Sequence, residues 1–425
     1  MSYLRESYIR LADSPSSDAF GRLRVSEPAG LFSSQLQYDT SPLLWADSIT
    51  AATETPTVTH LPNESTARLR LPAGTTVGGI AQRQTRQYIR YQPGKSQLVF
   101  ITSVPLVGAT ANVKRQIGLF DANNGIILQF AGTAASLIRR TYVGGSPSDT
   151  AEVARASWNI DPMLGSGPSG ITLDFTKSQI LGIDLEWLGV GRVRVGFVVD
   201  GVFWPVHQFL NANSLATVYM TTANLPITYR IEATGTTAAI ADLHQICSMV
   251  ASEGGFDADR GYKFSASNVI TPITVNNTDA VLLALHVDPN CPAGGSLANQ
   301  ATAYIESVDV FVSSADSIYW KLIYGATLDN TGWADVNGTY SGMRVSSTAV
   351  YTAASGIIIA EGYAASGNQA KAVISREITA RLPLVRNGFG TVNATSPIGN
   401  VVLVARNIAA ANANVLGVLG WTELY

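Results

Sequence analysis

Two runs rich in β-branched and aromatic residues, Gly191–Asp200 and Gly201–Leu210, meet at the dipeptide Asp200-Gly201. A two-residue turn of that composition accepts positive φ at both central positions and suits the twist of paired strands, so the junction predicts a tight β-hairpin. A second junction, Asn124-Gly125, lies where Gln116–Phe120 and Gly125–Phe130 flank Asp121-Ala122-Asn123-Asn124, and predicts another. Elsewhere the same grammar recurs. Ala67-Arg68-Leu69-Arg70-Leu71 alternates strictly, which places Leu69 and Leu71 on one face of a half-buried strand and the arginines on the other. Ser96–Val104, Gly170–Phe175 and Ile180–Leu188 read as further short strands, and strands at such spacing define a sandwich or barrel.

At 425 residues the chain exceeds what one hydrophobic core organises, so it divides. The expected class is all-β: two β-sandwich or jelly-roll domains, with room for a third, preceded by an extended arm. The arm covers residues 1–40, where Ser14-Pro15-Ser16-Ser17 punctuates a polar stretch with little core of its own. The first domain covers 41–255 and ends where Ser252-Glu253-Gly254-Gly255 breaks the strand pattern. The second covers 256–425, with strands expected over Asp279–Val287, Thr302–Ser313, Ser317–Tyr324, Gly356–Ala360, Gln369–Ile378 and Gly399–Val404. No repeat period links the halves.

Charged residues make up only 14% of the chain, against roughly 25% in ordinary soluble proteins. Surface buried against other subunits is depleted in charge, so this shortage favours an assembly component. A net charge of −3 supplies no global attraction for nucleic acid or an anionic membrane. The opening MSYLRESYIRLADS has no apolar stretch of the kind a secretory signal needs, and no apolar run reaches membrane-spanning length. An aqueous, cytoplasmic site of synthesis is therefore expected. Cys247 and Cys291 are too few for a disulfide framework and read as two indifferent thiols, with a single bridge between them left open.

The candidate chemistry concentrates in Gly182-Ile183-Asp184-Leu185-Glu186-Trp187-Leu188-Gly189. At period 2, Gly182, Asp184 and Glu186 share a face, with the two carboxylates roughly 6.5–7 Å apart at the backbone. This segment resembles the active strand of concanavalin-like β-sandwich glycosidases, which reads acid, apolar, Asp, apolar, Glu, aromatic. The resemblance implies that Asp184 holds the place of the supporting aspartate, Glu186 that of the acid/base, and Gly182 that of the nucleophile. Retention needs a nucleophile facing the acid/base across the sugar, and glycine cannot attack. No catalytic residue is therefore expected, and the bland reading, a solvated or Arg-paired strand face, is preferred.

Other signals are weaker. Between Ser65 and Phe120 the chain holds Arg68, Arg70, Arg83, Arg86, Arg90, Lys95, Lys114 and Arg115 with no acid. If these shared a surface, Tyr88 and Tyr91 would add stacking for nucleic acid; pairing with Asp174–Glu186 and Asp200 or with another subunit is the preferred reading. His60, His207, His244 and His286 lack ligand spacing, and Asp121-Ala122-Asn123-Asn124-Gly125 lacks the distal acid of a calcium loop, so no metal or cofactor is expected. Trp158, Trp187, Trp204, Trp320 and Trp333 are candidates for stacking on sugars, with core packing the preferred role. Gly165-Ser166-Gly167-Pro168-Ser169-Gly170 reads as a flexible loop, and no phosphate loop, dinucleotide fingerprint or nucleophile elbow is present.

Separated blocks agree in order with a known group. Asp18-Ala19-Phe20-Gly21-Arg22-Leu23-Arg24-Val25-Ser26, Pro62-Asn63-Glu64-Ser65, Arg86-Gln87-Tyr88, Tyr91-Gln92-Pro93-Gly94-Lys95-Ser96 and Glu186–Arg194 with Gly196-Phe197 resemble virion proteins of tailed bacteriophages. The resemblance spans Asp18 to Phe256. It implies a structural protein of the tail, neck or fibre, or a capsid decoration, assembling with copies of itself as a trimer or hexamer and with other virion proteins. Host surface glycan is the further partner expected of a projecting second domain, and the virion is the expected location.

Overall fold

The computed structural model describes residues 28–255, 261–268, 271–288, 290–291, 299–329, 332–337, 340–365, 372–374, 384–385, 399–409 and 411–425. The fold is all-β, as expected. Among the described residues there are 27 strands, and the only helical element is a three-residue 3₁₀ turn, Arg155–Ser157. Two compact units share the chain: Met1–Thr85 with Ile89–Phe256, and Asp257–Tyr425 with Arg86–Tyr88. The arm's first 27 residues, including the Asp18–Ser26 block, lie outside the described residues, as does most of the strand expected over Gln369–Ile378.

The first unit is two antiparallel sheets with a common core. One runs Val202–Phe209, Val193–Val199, Gln179–Leu185, Ser96–Gly108, Ala241–Glu253, Thr66–Leu71, Thr57–Leu61, with Ala29–Ser34 also paired to Ala241–Glu253. That last strand lies within the residues read from sequence as the arm. The other runs Ser148–Ala154, Ala134–Thr141, Gly125–Ala131, Val113–Phe120, Ile227–Ala233, Ile80–Thr85, Trp45–Thr50. Leu69, Leu71, Ile183 and Val195 of the first sheet meet Ile117, Leu128, Ile227 and Ile231 of the second. Each such side chain taken fully out of water contributes roughly 1.5–3 kcal/mol, which is what the alternation in Ala67–Leu71 encodes.

The Asp200-Gly201 hairpin forms as the dipeptide predicts. Val199 pairs with Val202, and Asp200 and Gly201 both take positive φ, 51° and 79°. A Gly201→Val variant is expected to lose about 1–2 kcal/mol, because a β-branched residue resists that backbone region. A urea midpoint matching that of the parent protein would contradict this.

The Asn124-Gly125 hairpin also forms, but through different turn chemistry. Phe120 pairs directly with Gly125, so the loop is the four residues Asp121–Asn124. Asp121 Oδ1 accepts the amides of Asn123 and Asn124, both at 2.8 Å, which replaces the Asn-Gly turn with an aspartate-centred one. The predicted strand Gly170–Phe175 is a loop, with Thr172 making an isolated bridge to Leu164. Asp161 organises it by accepting the amides of Met163 and Ser169.

The second unit repeats the two-sheet plan. One sheet holds Tyr262–Ser267, Ala413–Leu424, Thr302–Val312 and Ala372–Ile374, with Ile273–Val275 and Leu384–Val385 attached. The other runs Ala334–Asp335, Met343–Ser346, Ala280–Val287, Asn400–Asn407, Ile318–Tyr324, Ile357–Ala364. Val310, Leu419 and Trp421 pack on Leu285, Trp320 and Leu403 between them.

Candidate functional site

Leu181, Ile183 and Leu185 point into the core, which leaves Gly182 and Asp184 on the opposite face of their strand. Asp184 stands directly across from Arg194 on the neighbouring strand. Arg194 Nε lies 3.0 Å from Asp184 Oδ2, its Nη2 makes a closer contact, and Ser96 Oγ donates to Oδ1 at 2.8 Å. Both charged side chains are 0% exposed. Asp184 is thus the centre of a buried ion pair, the Arg-paired reading of this strand face.

Glu186 departs from expectation. The strand ends at Leu185, so Glu186 does not share the face of Asp184. It opens a connecting loop instead: Glu186 and Arg192 close it with a 3.0 Å amide–carbonyl bond, and Gly191 donates to Trp187 O at 2.7 Å. Leu188 and Gly189 turn with positive φ. A Cβ at Gly191 would sit 2.5 Å from Glu186 Cγ, so the glycine is what lets the glutamate fold over its own loop. Around this loop, Tyr219 Oη donates to Glu186 O, Trp187 N donates to Tyr91 Oη, and Trp187 Nε1 donates to Met220 O. The segment Glu186–Arg192 is therefore a scaffolded turn that leads into the strand Val193–Val199.

Gly182 has its own reason. It pairs with Gly196, and a Cβ there would lie 2.5 Å from the ring of Phe203. Phe203 is itself held edge-on to Phe100, with ring centroids 6.4 Å apart. The place where a nucleophilic carboxylate would stand is filled by an aromatic ring.

Several members of the basic stretch are tied into the first unit. Arg83 and Arg115 are wholly buried. Arg83 bonds Asp47 and Gln245, each at 2.6 Å, beneath the ring of Trp45. Arg115 donates to the carbonyls of Asp242, Val107 and Ala109, and burial lowers its pKa to about 10. Arg70 pairs in bidentate fashion with Asp242, and Lys114 with Glu232. Pairing within the fold is as preferred from sequence, but the partners are Asp47, Asp242 and Glu232. The rings of Tyr88 and Tyr91 are buried.

The histidines occupy separate places, and no group of three potential ligands that could hold a metal occurs among the described residues. His207 accepts the Asn159 amide on Nδ1 at 3.2 Å, and burial lowers its pKa to about 4. An unfolded chain takes up a proton near pH 6.5, one that the folded state refuses until about pH 4. Stability is therefore complete above the higher value and falls between the two, at up to about 1.4 kcal/mol per pH unit. His207→Gln is expected to flatten that part of the slope, measured as urea midpoints at pH 7.5 and 4.5. Equal pH-dependent losses in variant and parent would refute the assignment. Trp158 and Trp320 are buried, Trp187, Trp204 and Trp333 half-buried, and both cysteines are free.

Sequence reasoning missed a polar row on the outer face of the seven-stranded sheet. Ser48, Gln82, Arg230, Gln116, Gln129 and Ser136 stand directly opposite one another on six successive strands. Gln116 donates to Gln129 at 2.7 Å, Gln129 to Glu152 at 3.1 Å, and Arg230 to Gln82 at 3.2 Å. The signal was alternation within each strand, but only register aligns six strands. On the other sheet, a shallow depression of about 540 Å³ is lined by Phe100, Thr102, Cys247 and Met249, among others, and by no charged side chain.

This is an all-β protein of paired antiparallel sheets whose candidate acids and bases are tied into the scaffold. The chain matches no known family model and no curated protein. Among solved structures it is similar to a GH43 glycoside hydrolase, at 16% identity over 49% of this chain and 38% of that one, with a TM-score of 0.30. A legume lectin-like domain from Entamoeba histolytica aligns at 8% identity over 52% of this chain and 96% of that one, with a TM-score of 0.31. The CBM2 module of the evolved Dit of Lactobacillus casei BL23 phage J-1 aligns at 7% identity over 55% and 99%, with a TM-score of 0.34. The alignment thus spans well under half the length of the hydrolase.

Proposed function

We propose that this chain is a non-enzymatic structural component of a tailed-phage particle, in its tail, neck or fibre, made in the host cytoplasm and carried in the virion. Residues 1–255 attach it to copies of itself, as a trimer or hexamer, and to other virion proteins; residues 256–425 project. One observation supports the reading: the Glu186–Arg194 block, which resembles phage virion proteins, is spent on a turn and on Arg194's ion pair with Asp184, and Gly182, four residues ahead of the block, lies against Phe203. The row Ser48, Gln82, Arg230, Gln116, Gln129 and Ser136 carries one charge among six residues, and a face low in charge suits a contact with another subunit. A second reading, capsid decoration or lectin-like adhesion, draws on the exposed tyrosines of the second unit.

Antibodies raised against residues 262–425 are expected to label intact particles in negative-stain micrographs. Absence of label from both intact and opened particles would overturn the proposal.

A further inference from the structure

The sheet of the second unit that contains Ile318–Tyr324 has an outer face divided in two. Over one half, Val281, Ile323, Val402 and Val404 pack with Leu328 and Ala349. The other half carries Tyr363, Tyr319 and Arg406, directly opposite one another on three adjacent strands. The two rings lie 5.3 Å apart between centroids, and the Arg406 guanidinium sits 5.2 Å from the centre of the Tyr319 ring. Tyr319 Oη donates to Glu361, and that bond pushes the phenol up to about 12, so it stays protonated. Tyr363 is 71% exposed, and Arg406 and Glu361 are exposed beside it.

The chemistry of the row selects its ligand. Lys321 is paired with Asp279 at 2.5 Å, whereas among the described residues no carboxylate lies within ion-pair distance of Arg406. An exposed phenol ring offers a flat apolar face, and a guanidinium beside it offers a two-pronged fork for a carboxylate. A protein partner would need on the order of 1,000 Å² around an apolar centre, but here the two rings are bordered by the charged Glu361, Lys321 and Asp279. A ligand combining a sugar ring with a negative charge fits both features.

We propose that Tyr363, Tyr319 and Arg406 bind a carboxylate-bearing saccharide, with the sugar ring stacked on Tyr363 and its carboxylate held by Arg406. The inference rests on the reading of residues 256–425 as the displayed part of the chain. The probes are sodium polygalacturonate against its methyl ester, and sialyl-lactose against lactose, each immobilised and presented to the full-length protein. Binding to one or both acidic members is expected, and which of them binds separates uronate from sialate. Arg406→Ala and Tyr363→Ala should each weaken it at least tenfold, Arg406→Lys should be intermediate, and Tyr262→Ala, an exposed tyrosine on the other sheet, should match the parent. Matching thermal unfolding curves show that the variants fold. Failure to bind either acidic probe, equal binding to the uncharged partners, or unaltered binding by both alanine variants overturns the inference. Particle incorporation is scored separately: particles that contain a chain unable to bind acidic glycan sink this inference alone, and binding by a chain absent from particles sinks the virion reading alone.

Discussion

Asp184→Ala is expected to cost the first unit roughly 3–5 kcal/mol, because it leaves the Arg194 guanidinium buried with its directly opposed carboxylate removed. Arg194→Met alone should cost a similar amount by removing the cation that faces the buried Asp184. The double variant Asp184→Leu/Arg194→Met should recover most of the loss, since a buried pair can often be replaced by apolar groups of similar volume at little net cost. Urea denaturation followed by tryptophan fluorescence measures all three. Single variants within about 0.5 kcal/mol of the parent, the range of ordinary surface changes, would contradict the assignment of the pair as scaffold.

The second large effect concerns the missing nucleophile. Gly182→Glu restores the acid that the glycosidase pattern calls for, yet it forces a Cβ to within 2.5 Å of Phe203 and places a carboxylate on a buried strand. Overpacking and an unpaired buried charge together should destabilise the unit by about 3 kcal/mol or more. No reducing ends should appear from β-glucans. Phe203→Ala in the same background should relieve part of the strain without producing activity. Hydrolysis by Gly182→Glu that is abolished by Glu186→Gln would show that the fold does bring these positions together, against the geometry described here.

Much of the first unit was legible because its signals are local. Ala67–Leu71 alternates and forms the strand Thr66–Leu71, and Asp200-Gly201 turns where its composition predicts. Ala241–Glu253 was illegible for a physical reason: register shifts at Asp242/His244 and Gln245/Ser248 break the two-residue period that marks a strand. Ala413–Leu424, for which no strand was expected, contains Gly417 and Gly420, residues that weaken a strand pattern. In the sheet, a Cβ at Gly417 would lie 2.9 Å from Leu403, so that glycine serves close packing inside a strand.

The candidate site was legible in type and not in placement. Asp184 as an Arg-paired residue follows from alternating acids and arginines, but Glu186 lies one residue past the end of its strand, a boundary that no period can fix. Arg83 and Arg115 read as members of a basic stretch paired within the fold or with another subunit, but their full burial was not legible; here Gln245, Asp47 and backbone carbonyls accept their hydrogen bonds inside the sandwich. The row Tyr363–Tyr319–Arg406 is assembled from three adjacent strands far apart in sequence and exists only through register.

The central claim is that this polypeptide belongs to the particle. Quantitative mass spectrometry of gradient-purified virions tests it most directly, with peptides from residues 41–255 and 262–425 measured against a protein of known copy number. Both sets are expected in equal amounts, at a copy number that is a multiple of three. Their absence from particles, with the polypeptide confined to the soluble lysate, would contradict it.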